Sequence, residues 1–146
     1  MNPVNHDDQK ADEAWCRQRR AEVVACLQRE GLEHGRVGEF PAWHIAPYVS
    51  IWAIESLAAP DKVGWWVICG DLPTDYISST NAKTPRQATS QIARAWLEAA
   101  ALMTAGVKPA GITIGSVEER PRLGSLLKTR AELLLSWTED EDVWVK

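Results

Sequence analysis

The sequence predicts an α+β domain, in which a small antiparallel sheet is packed by an N-terminal helix and two C-terminal helices. Three observations predict this class: a helical stretch with an apolar stripe that ends at Gly31, an apolar and tryptophan-rich hairpin in the middle of the chain, and two amphipathic stretches after it. The 146 residues suit one domain with a substantial core. We expect residues 1–10 to form a mobile tail and residues 11–146 to form a single domain.

The first helix should run from about Asp12 to Glu30, because Gly31 is a favourable residue just after a helix end. Arg19 lies within the apolar stripe of this helix, so its charge requires a partner there. A connection rich in glycine and proline follows, and it contains a candidate short strand from Trp43 to Ile45. The stripe consists of Trp15, Cys16, Val23, Cys26 and Leu27.

The hairpin consists of two predicted strands, 48–57 and 63–70, joined by a short turn that contains Pro60. Such a short connection predicts antiparallel pairing. A third short strand is predicted around 76–79. Both strands are apolar on both faces, so we expect cover on both sides of the sheet or a partner against one side, for example a second copy in a homodimer.

The two C-terminal helices have clear start signals. Thr84-Pro-Arg-Gln87 is a capping box with proline at the first helical position, and apolar residues then recur at steps of three and four up to Met103. Gly106 is the predicted end of this helix, and a short strand is predicted around Thr113. The last helix should begin near Ser116 or at Pro121 and run to about Trp137.

Arg130 is unusual for its position in the last helix. A helical wheel places it in the middle of an arc of leucines, where a guanidinium cannot easily reach water. A buried charge without a partner is costly, so we expect an acidic or carbonyl partner, with Glu55, Asp71 and Asp75 as the candidates. Two interpretations stay open: a structural ion pair, and an anchor for an anionic substrate.

The segment from Gly70 to Tyr76 brings two carboxylates and a phenol into one predicted turn. Asp71 and Asp75 could act as general acid and base, or could ligate a hard cation. They could also do no more than accept backbone amide hydrogens, while Pro73 fixes its own φ angle and Tyr76 packs.

Composition and motifs exclude several classes of function. The net charge of −4 disfavours nucleic-acid binding, no apolar run is long enough for a membrane helix, and the polar start is unlike a secretory signal, so we expect a cytoplasmic protein. Three cysteines without paired spacing are interpreted as reduced, buried thiols. The three histidines have no zinc-site spacing, and no nucleotide-binding motif is present. We therefore expect neither a metal nor a cofactor.

Several strings resemble those of an uncharacterised bacterial family, a domain of unknown function found in small, tryptophan-rich cytoplasmic proteins. The longest is GWWVICGDLPTDY, residues 64–76, and others are GEFPAW (38–43) and SIWAIES (50–56). The resemblance covers most of residues 14–137. It implies family membership but no activity, substrate or catalytic residue.

The first functional hypothesis is a binding or accessory protein. It would present a surface or shallow pocket near the Asp71–Tyr76 segment, lined by Trp43, Trp65 or Trp66, because exposed aromatic side chains suit partner binding. Adjacent residues of a strand point to opposite faces, so Trp65 and Trp66 cannot both line one groove. The ligand would be a protein partner or a small anion.

The alternative hypothesis is an enzyme that acts on a small anionic substrate. In this interpretation Arg130 or Arg19 binds the anion. A carboxylate then transfers the proton, and the candidates are Asp71, Asp75 and Glu55.

Overall fold

The structure is a computed structural model that describes residues 6–105 and 120–144. Within these residues it contains helices and an antiparallel sheet, which confirms the α+β class. The helices are α1 (His6–Glu30), α2 (Pro85–Thr104) and α3 (Arg120–Thr138), followed by a short 3-10 helix (Glu141–Val143). The strands are β1 (Trp43–Ile45), β2 (Val49–Glu55), β3 (Val63–Gly70) and β4 (Leu72–Ser78).

The chain forms two compact units, residues 1–85 and 86–146. The first unit contains α1 and the whole sheet, whose strands follow the order β1-β2-β3-β4 with antiparallel pairing throughout. The predicted hairpin is confirmed: β3 has the predicted bounds, and β2 is slightly shorter than the predicted strand. The short strand at Trp43–Ile45 is also present.

The reversal between β3 and β4 is tighter than predicted. Gly70 has a φ of 144°, and a Cβ atom there would lie 2.5 Å from the carbonyl oxygen of Tyr48. Only glycine fits this conformation and this contact. The predicted turn through Tyr76 is therefore wrong, because the chain returns to extended structure at Leu72. Pro73 is tolerated in β4 because an edge strand does not require every N–H group.

Helix α1 covers one face of the sheet and ends as predicted, with Gly31 at a φ of 63°. It begins at His6, earlier in the chain than the predicted start near Asp12. The alternation of side chains along each strand places one set of apolar residues beneath the helix. The resulting core cluster is fully buried and contains Val23, Cys26, Leu27, Trp52, Ile54, Val67 and Cys69.

The second unit contains α2 and α3, which approach closely at Gly124. A Cβ atom at this position would lie 2.9 Å from the Thr104 hydroxyl and 3.0 Å from the Ala100 carbonyl oxygen. Arg86, at the start of α2, donates to the Thr138 carbonyl oxygen at 2.7 Å and binds both carboxylate oxygens of Glu141. The predicted helix end at Gly106, the predicted strand around Thr113 and the predicted helix start near Ser116 lie outside the described residues.

Candidate functional site

The first unit contains an open depression with a volume of about 750 Å³. It lies where residues 35–38 run antiparallel to the end of β2, with Val37 bridged to Ile54 and the Gly35 N–H bonded to the Glu55 carbonyl oxygen at 2.8 Å. This segment extends the sheet at its rim, which creates the concave surface. The depression is lined by Arg20, Arg36, Val37, Gly38, Glu39, Ala53, Glu55, Asp61, Lys62 and Val63.

Glu55 is the acceptor at the centre of a hydrogen-bond network in the depression. It receives hydrogen bonds from the guanidinium and the backbone N–H of Arg36, each at 3.1 Å, and from the backbone N–H of Asp61 at 3.2 Å. The side-chain hydrogen bond from Arg36, followed by the two backbone N–H groups, lowers the pKa of Glu55 to about 2. Glu55 was one of the candidate partners of Arg130. In the structure the Glu55 carboxylate pairs with the guanidinium of Arg36.

Arg20 links the depression to α1. Its Nε donates to the Gly38 carbonyl oxygen at 2.9 Å and its Nη2 donates to the Val37 carbonyl oxygen at 3.1 Å. These bonds fix the chain segment that forms one wall. They also occupy two of the guanidinium donors, so the main role of Arg20 is to hold this wall rather than to bind a ligand.

The Asp71–Tyr76 segment has mainly structural contacts. Asp71 is exposed at the reversal, and the Asp75 carboxylate accepts the backbone N–H of Tyr76 at 2.8 Å. The rings of Tyr76 and Trp65 pack edge to face, with their centroids 5.7 Å apart. Burial raises the pKa of Tyr76, and the charge of Glu30 raises it further. This segment is not part of the depression.

The three candidate tryptophans differ in exposure. Trp43 is 5% exposed and Trp66 is 3% exposed, and the Trp66 indole donates to the Ala82 carbonyl oxygen at 2.9 Å. Trp65 is partly exposed, and its indole donates to the Glu33 carbonyl oxygen at 3.2 Å. Of the three, Trp65 is the most exposed to solvent. A tryptophan-lined surface near Asp71 stays a prediction.

Arg130 lies at the edge of the buried face of α3. The buried residues of this helix include Leu127, Ala131 and Leu134, and a step of ~100° per residue places Arg130 beside them rather than at their centre. Its side chain is accordingly partly buried. The predicted arc was too wide because it included Leu126 and Leu133, which are exposed in the structure. Its role as an anchor stays a prediction.

Arg19, the other candidate anion clamp, contacts its own helix. Its guanidinium lies 5.3 Å from the centroid of the Trp15 ring and 3.4 Å from a carboxylate oxygen of Glu22. Its Nε is buried and has no hydrogen-bond partner among the described residues. The cation–π contact and the carboxylate together account for the charge.

A further cluster, which we did not predict, joins α1 to β1. The Nε2 atom of His44 lies 3.0 and 3.1 Å from the two carboxylate oxygens of Asp12. Potential ligand atoms of Asp12, Cys16 and His44 all lie within 4.8 Å of one another. The Trp15 ring stacks on His44, with centroids 6.2 Å apart and planes at 24°. Burial, and then the charges of Asp12 and Glu13, raise the pKa of Cys16.

Part of the signal for this cluster was present in the sequence. Asp12 and Cys16 are four residues apart, which places both on one face of a helix. His44 is the middle residue of the predicted short strand. What the sequence did not reveal is that β1 lies next to the N-terminal half of α1, because this contact joins elements far apart in the chain.

Comparison with known proteins identifies a family and assigns no activity. Among the described residues, no helix combines the length and the apolar character needed to cross a membrane. Neither the curated proteins nor the solved structures contain a significant match to this chain. The family model of DUF4826, a domain of unknown function, matches residues 9–144. This match covers nearly the whole chain, and the protein therefore belongs to the DUF4826 family.

Proposed function

We propose that the protein is a non-catalytic binding protein that holds an extended segment of a partner protein in the depression of its first unit. The observation that carries this proposal is the lining of the depression. Small and apolar residues, among them Val37, Ala53 and Val63, are bordered by side chains of both charges. An apolar floor with a charged rim is the usual anatomy of a protein-binding surface.

The charges favour a partner that itself carries both signs. Arg36 is 81% exposed but is already bonded to Glu55, and its Nη2 also lies 3.5 Å from Asp61. Arg20 is bonded to backbone carbonyl oxygens. A free anion would compete with these acceptors, whereas a peptide with acidic and basic residues can pair with both sides of the rim.

An exposed aromatic residue lies close to the depression. Phe40 is 69% exposed and follows Glu39, which lines the rim. A single exposed apolar residue is ordinary, but an aromatic side chain beside a concave surface is a typical anchor for a partner. Phe40 therefore extends the binding surface beyond the depression itself.

The alternative of an enzyme receives less support from the geometry. A carboxylate whose pKa is about 2 stays ionised at neutral pH and accepts protons weakly, so Glu55 is a poor general acid or base. Asp75 is engaged by the backbone N–H of Tyr76. The charge of Arg19, a candidate anion clamp, is met by Trp15 and Glu22.

We place this binding activity in the cytoplasm. The structure contains three free cysteines, Cys16, Cys26 and Cys69, and all are buried. Unpaired thiols are typical of a reducing compartment, which supports the proposal.

The test is a selection of random peptides, displayed on phage, on the immobilised full-length chain. Affinities of the selected peptides are then measured by fluorescence anisotropy. We expect Arg36→Glu and Phe40→Ala to weaken binding by at least about tenfold. Arg94→Glu, an exposed charge reversal on α2, is the matched control and should leave binding unchanged.

Three outcomes would overturn the proposal. The first is a selection that enriches no peptide, and the second is a set of peptides whose affinity is the same for the depression variants and the wild type. The third is complete competition by inorganic phosphate, which would favour the anion-binding alternative. Circular dichroism of each variant shows whether the fold is retained.

A further inference from the structure

We propose that Asp12, Cys16 and His44 form a binding site for a divalent transition-metal ion, with zinc as the best match. The three side chains supply one oxygen, one sulfur and one nitrogen ligand. Within residues 6–105 and 120–144, these three residues form the group whose potential ligand atoms lie close enough together to share one ion. This site lies on α1 and β1 and does not depend on the binding function proposed for the depression.

The distances suit an ion of this kind. Zinc lies about 2.3 Å from sulfur and about 2.0–2.2 Å from nitrogen and oxygen, so its tetrahedral ligands are about 3.3–3.6 Å apart. The His44 nitrogen and the Asp12 oxygen are already 3.0 Å apart, and all three ligand atoms lie within 4.8 Å. The ligand atoms therefore need to approach one another by no more than about 1 Å to share one ion.

The backbone holds the ligands in place. Asp12 and Cys16 project from successive turns of α1, and His44 is the central residue of β1, where it pairs with Ser50 of β2. Trp15 stacks on the imidazole and limits the orientation of its ring. A helix and a strand are more rigid supports for a metal site than loops are.

The exposure of the ligands leaves room for a fourth ligand. The Asp12 side chain is 42% exposed and that of His44 is 30% exposed, whereas Cys16 is buried beneath them. An ion can therefore enter from the solvent side and keep a water molecule there. Three protein ligands and an open position are the arrangement of catalytic and exchangeable zinc sites rather than of closed structural sites.

The ligand types select the class of metal. Calcium and magnesium bind oxygen ligands, so the thiol and the imidazole disfavour both ions. Zinc and its neighbours in the first transition series accept mixed nitrogen, oxygen and sulfur ligands. Without an ion, the Asp12–His44 hydrogen bond holds the carboxylate and the ring together. On binding, the ion would replace the hydrogen-bonded proton between Asp12 and His44 and also the thiol proton of Cys16, and both protons would pass to the solvent.

The test uses Co²⁺ as a spectroscopic substitute for zinc, added to the full-length chain after treatment with a chelator. We expect uptake of one ion per chain, with a thiolate-to-cobalt charge-transfer band and visible bands typical of four ligands. Zinc should displace the cobalt. Zinc should also raise the melting temperature, because an ion that binds only the folded state stabilises it.

Matched variants identify the ligands. Cys16→Ser should abolish the charge-transfer band, and Cys26→Ser should retain it. Asp12→Asn and His44→Gln should each weaken cobalt binding by at least about tenfold, whereas His34→Gln should not. Asp12 is well exposed, so Asp12→Asn tests the site with little risk to the fold.

The proposal fails if the chain takes up no cobalt. It also fails if uptake is the same in Cys16→Ser and His44→Gln as in the wild type, since the ion would then bind elsewhere. A charge-transfer band that disappears in Cys26→Ser but not in Cys16→Ser would overturn the assignment of the sulfur ligand.

Discussion

The two halves of α1 present the same helical face to the same sheet, yet their contacts differ in kind. The C-terminal half places Val23, Cys26 and Leu27 into the fully buried core cluster. The N-terminal half places Asp12 against His44 and Trp15 alongside the same ring. The first set contributes to stability, and the second set holds polar ligand atoms that remain open to solvent.

The difference follows from which strand lies beneath each half. Beneath the C-terminal half are the long central strands β2 and β3, whose side chains complete a dry core. The N-terminal half contacts β1, an edge strand of three residues that is too short to seal the helix. Polar residues are tolerated there because water or a neighbouring polar group can satisfy them. A candidate site therefore arises where the core ends.

The largest expected effect comes from a substitution in the C-terminal half of α1, which contributes to the buried core. Leu27→Ala removes a fully buried side chain and should lower the free energy of unfolding by about 2–5 kcal/mol. Urea denaturation followed by circular dichroism measures the change. Leu57→Ala, at an exposed leucine of the same unit, is the control and should change stability by no more than ~0.5 kcal/mol. Equal losses for both leucines would contradict the proposed contrast.

A smaller effect is expected at the polar group buried beneath the helix. The Ser50 hydroxyl accepts the Trp52 indole N–H at 2.9 Å and donates to the Cys69 carbonyl oxygen at 3.0 Å. Ser50→Ala leaves the buried indole N–H without its acceptor and should cost about 1–3 kcal/mol. The same denaturation experiment measures it, with the exposed Ser78→Ala as control. A neutral Ser50→Ala would show that the indole finds another acceptor.

A still smaller effect is expected in the polar half of α1. Asp12→Asn breaks a partly exposed pair with His44 and should cost no more than ~1 kcal/mol in the absence of metal. Thermal melting in the presence of a chelator measures this. A loss as large as that of Leu27→Ala would mean that the Asp12 cluster is a part of the core and not an accessible site.

The smallest effect is expected at the rim of the depression, because solvent screens the pair between Glu55 and the 81% exposed Arg36, and this effect depends on pH. The ordinary pKa of 4.5 for Glu55 falls to about 2 in the folded state, so the ionised carboxylate stabilises the fold above pH 4.5. This contribution is lost as the pH falls from 4.5 towards 2. The melting temperatures of wild type and Glu55→Gln should therefore differ at neutral pH and converge in acid. Glu98→Gln, at an exposed residue of α2, is the control. A difference in melting temperature between wild type and Glu55→Gln that persists below pH 2 would contradict the stabilising role of the Glu55 carboxylate.

Local patterns predicted the elements of this fold well. The continuous apolar run and the short turn before it located β3 at its observed bounds, and the capping box at 84–87 located the start of α2. These signals lie within a few residues of one another, so the sequence contains them completely. The predicted strand around 76–79 overlaps the end of β4, but residues 72–75 were wrongly assigned to a turn because Pro73 and Asp75 are typical of turns. A tight reversal at Gly70 let an edge strand accommodate them.

The candidate sites were predicted less well because they depend on contacts between distant segments. Cys16 was interpreted as a buried, reduced thiol and His44 as a histidine without zinc-site spacing, and each interpretation considered one residue at a time. The partner of Glu55 is Arg36, which lies in a connection that has no periodic pattern. Arg36 and Glu55 come together because the connection at 35–38 runs alongside the end of β2.

The two outer strands of the sheet have a consequence for how the protein behaves at high concentration. A long, regular outer strand is a template on which other chains can add in register. Here β1 is only three residues long, and β4 contains Pro73, which cannot donate to an incoming strand. Both margins of this apolar sheet are thus poor starting points for fibril growth, even though its central segments are rich in the residues that fibrils favour.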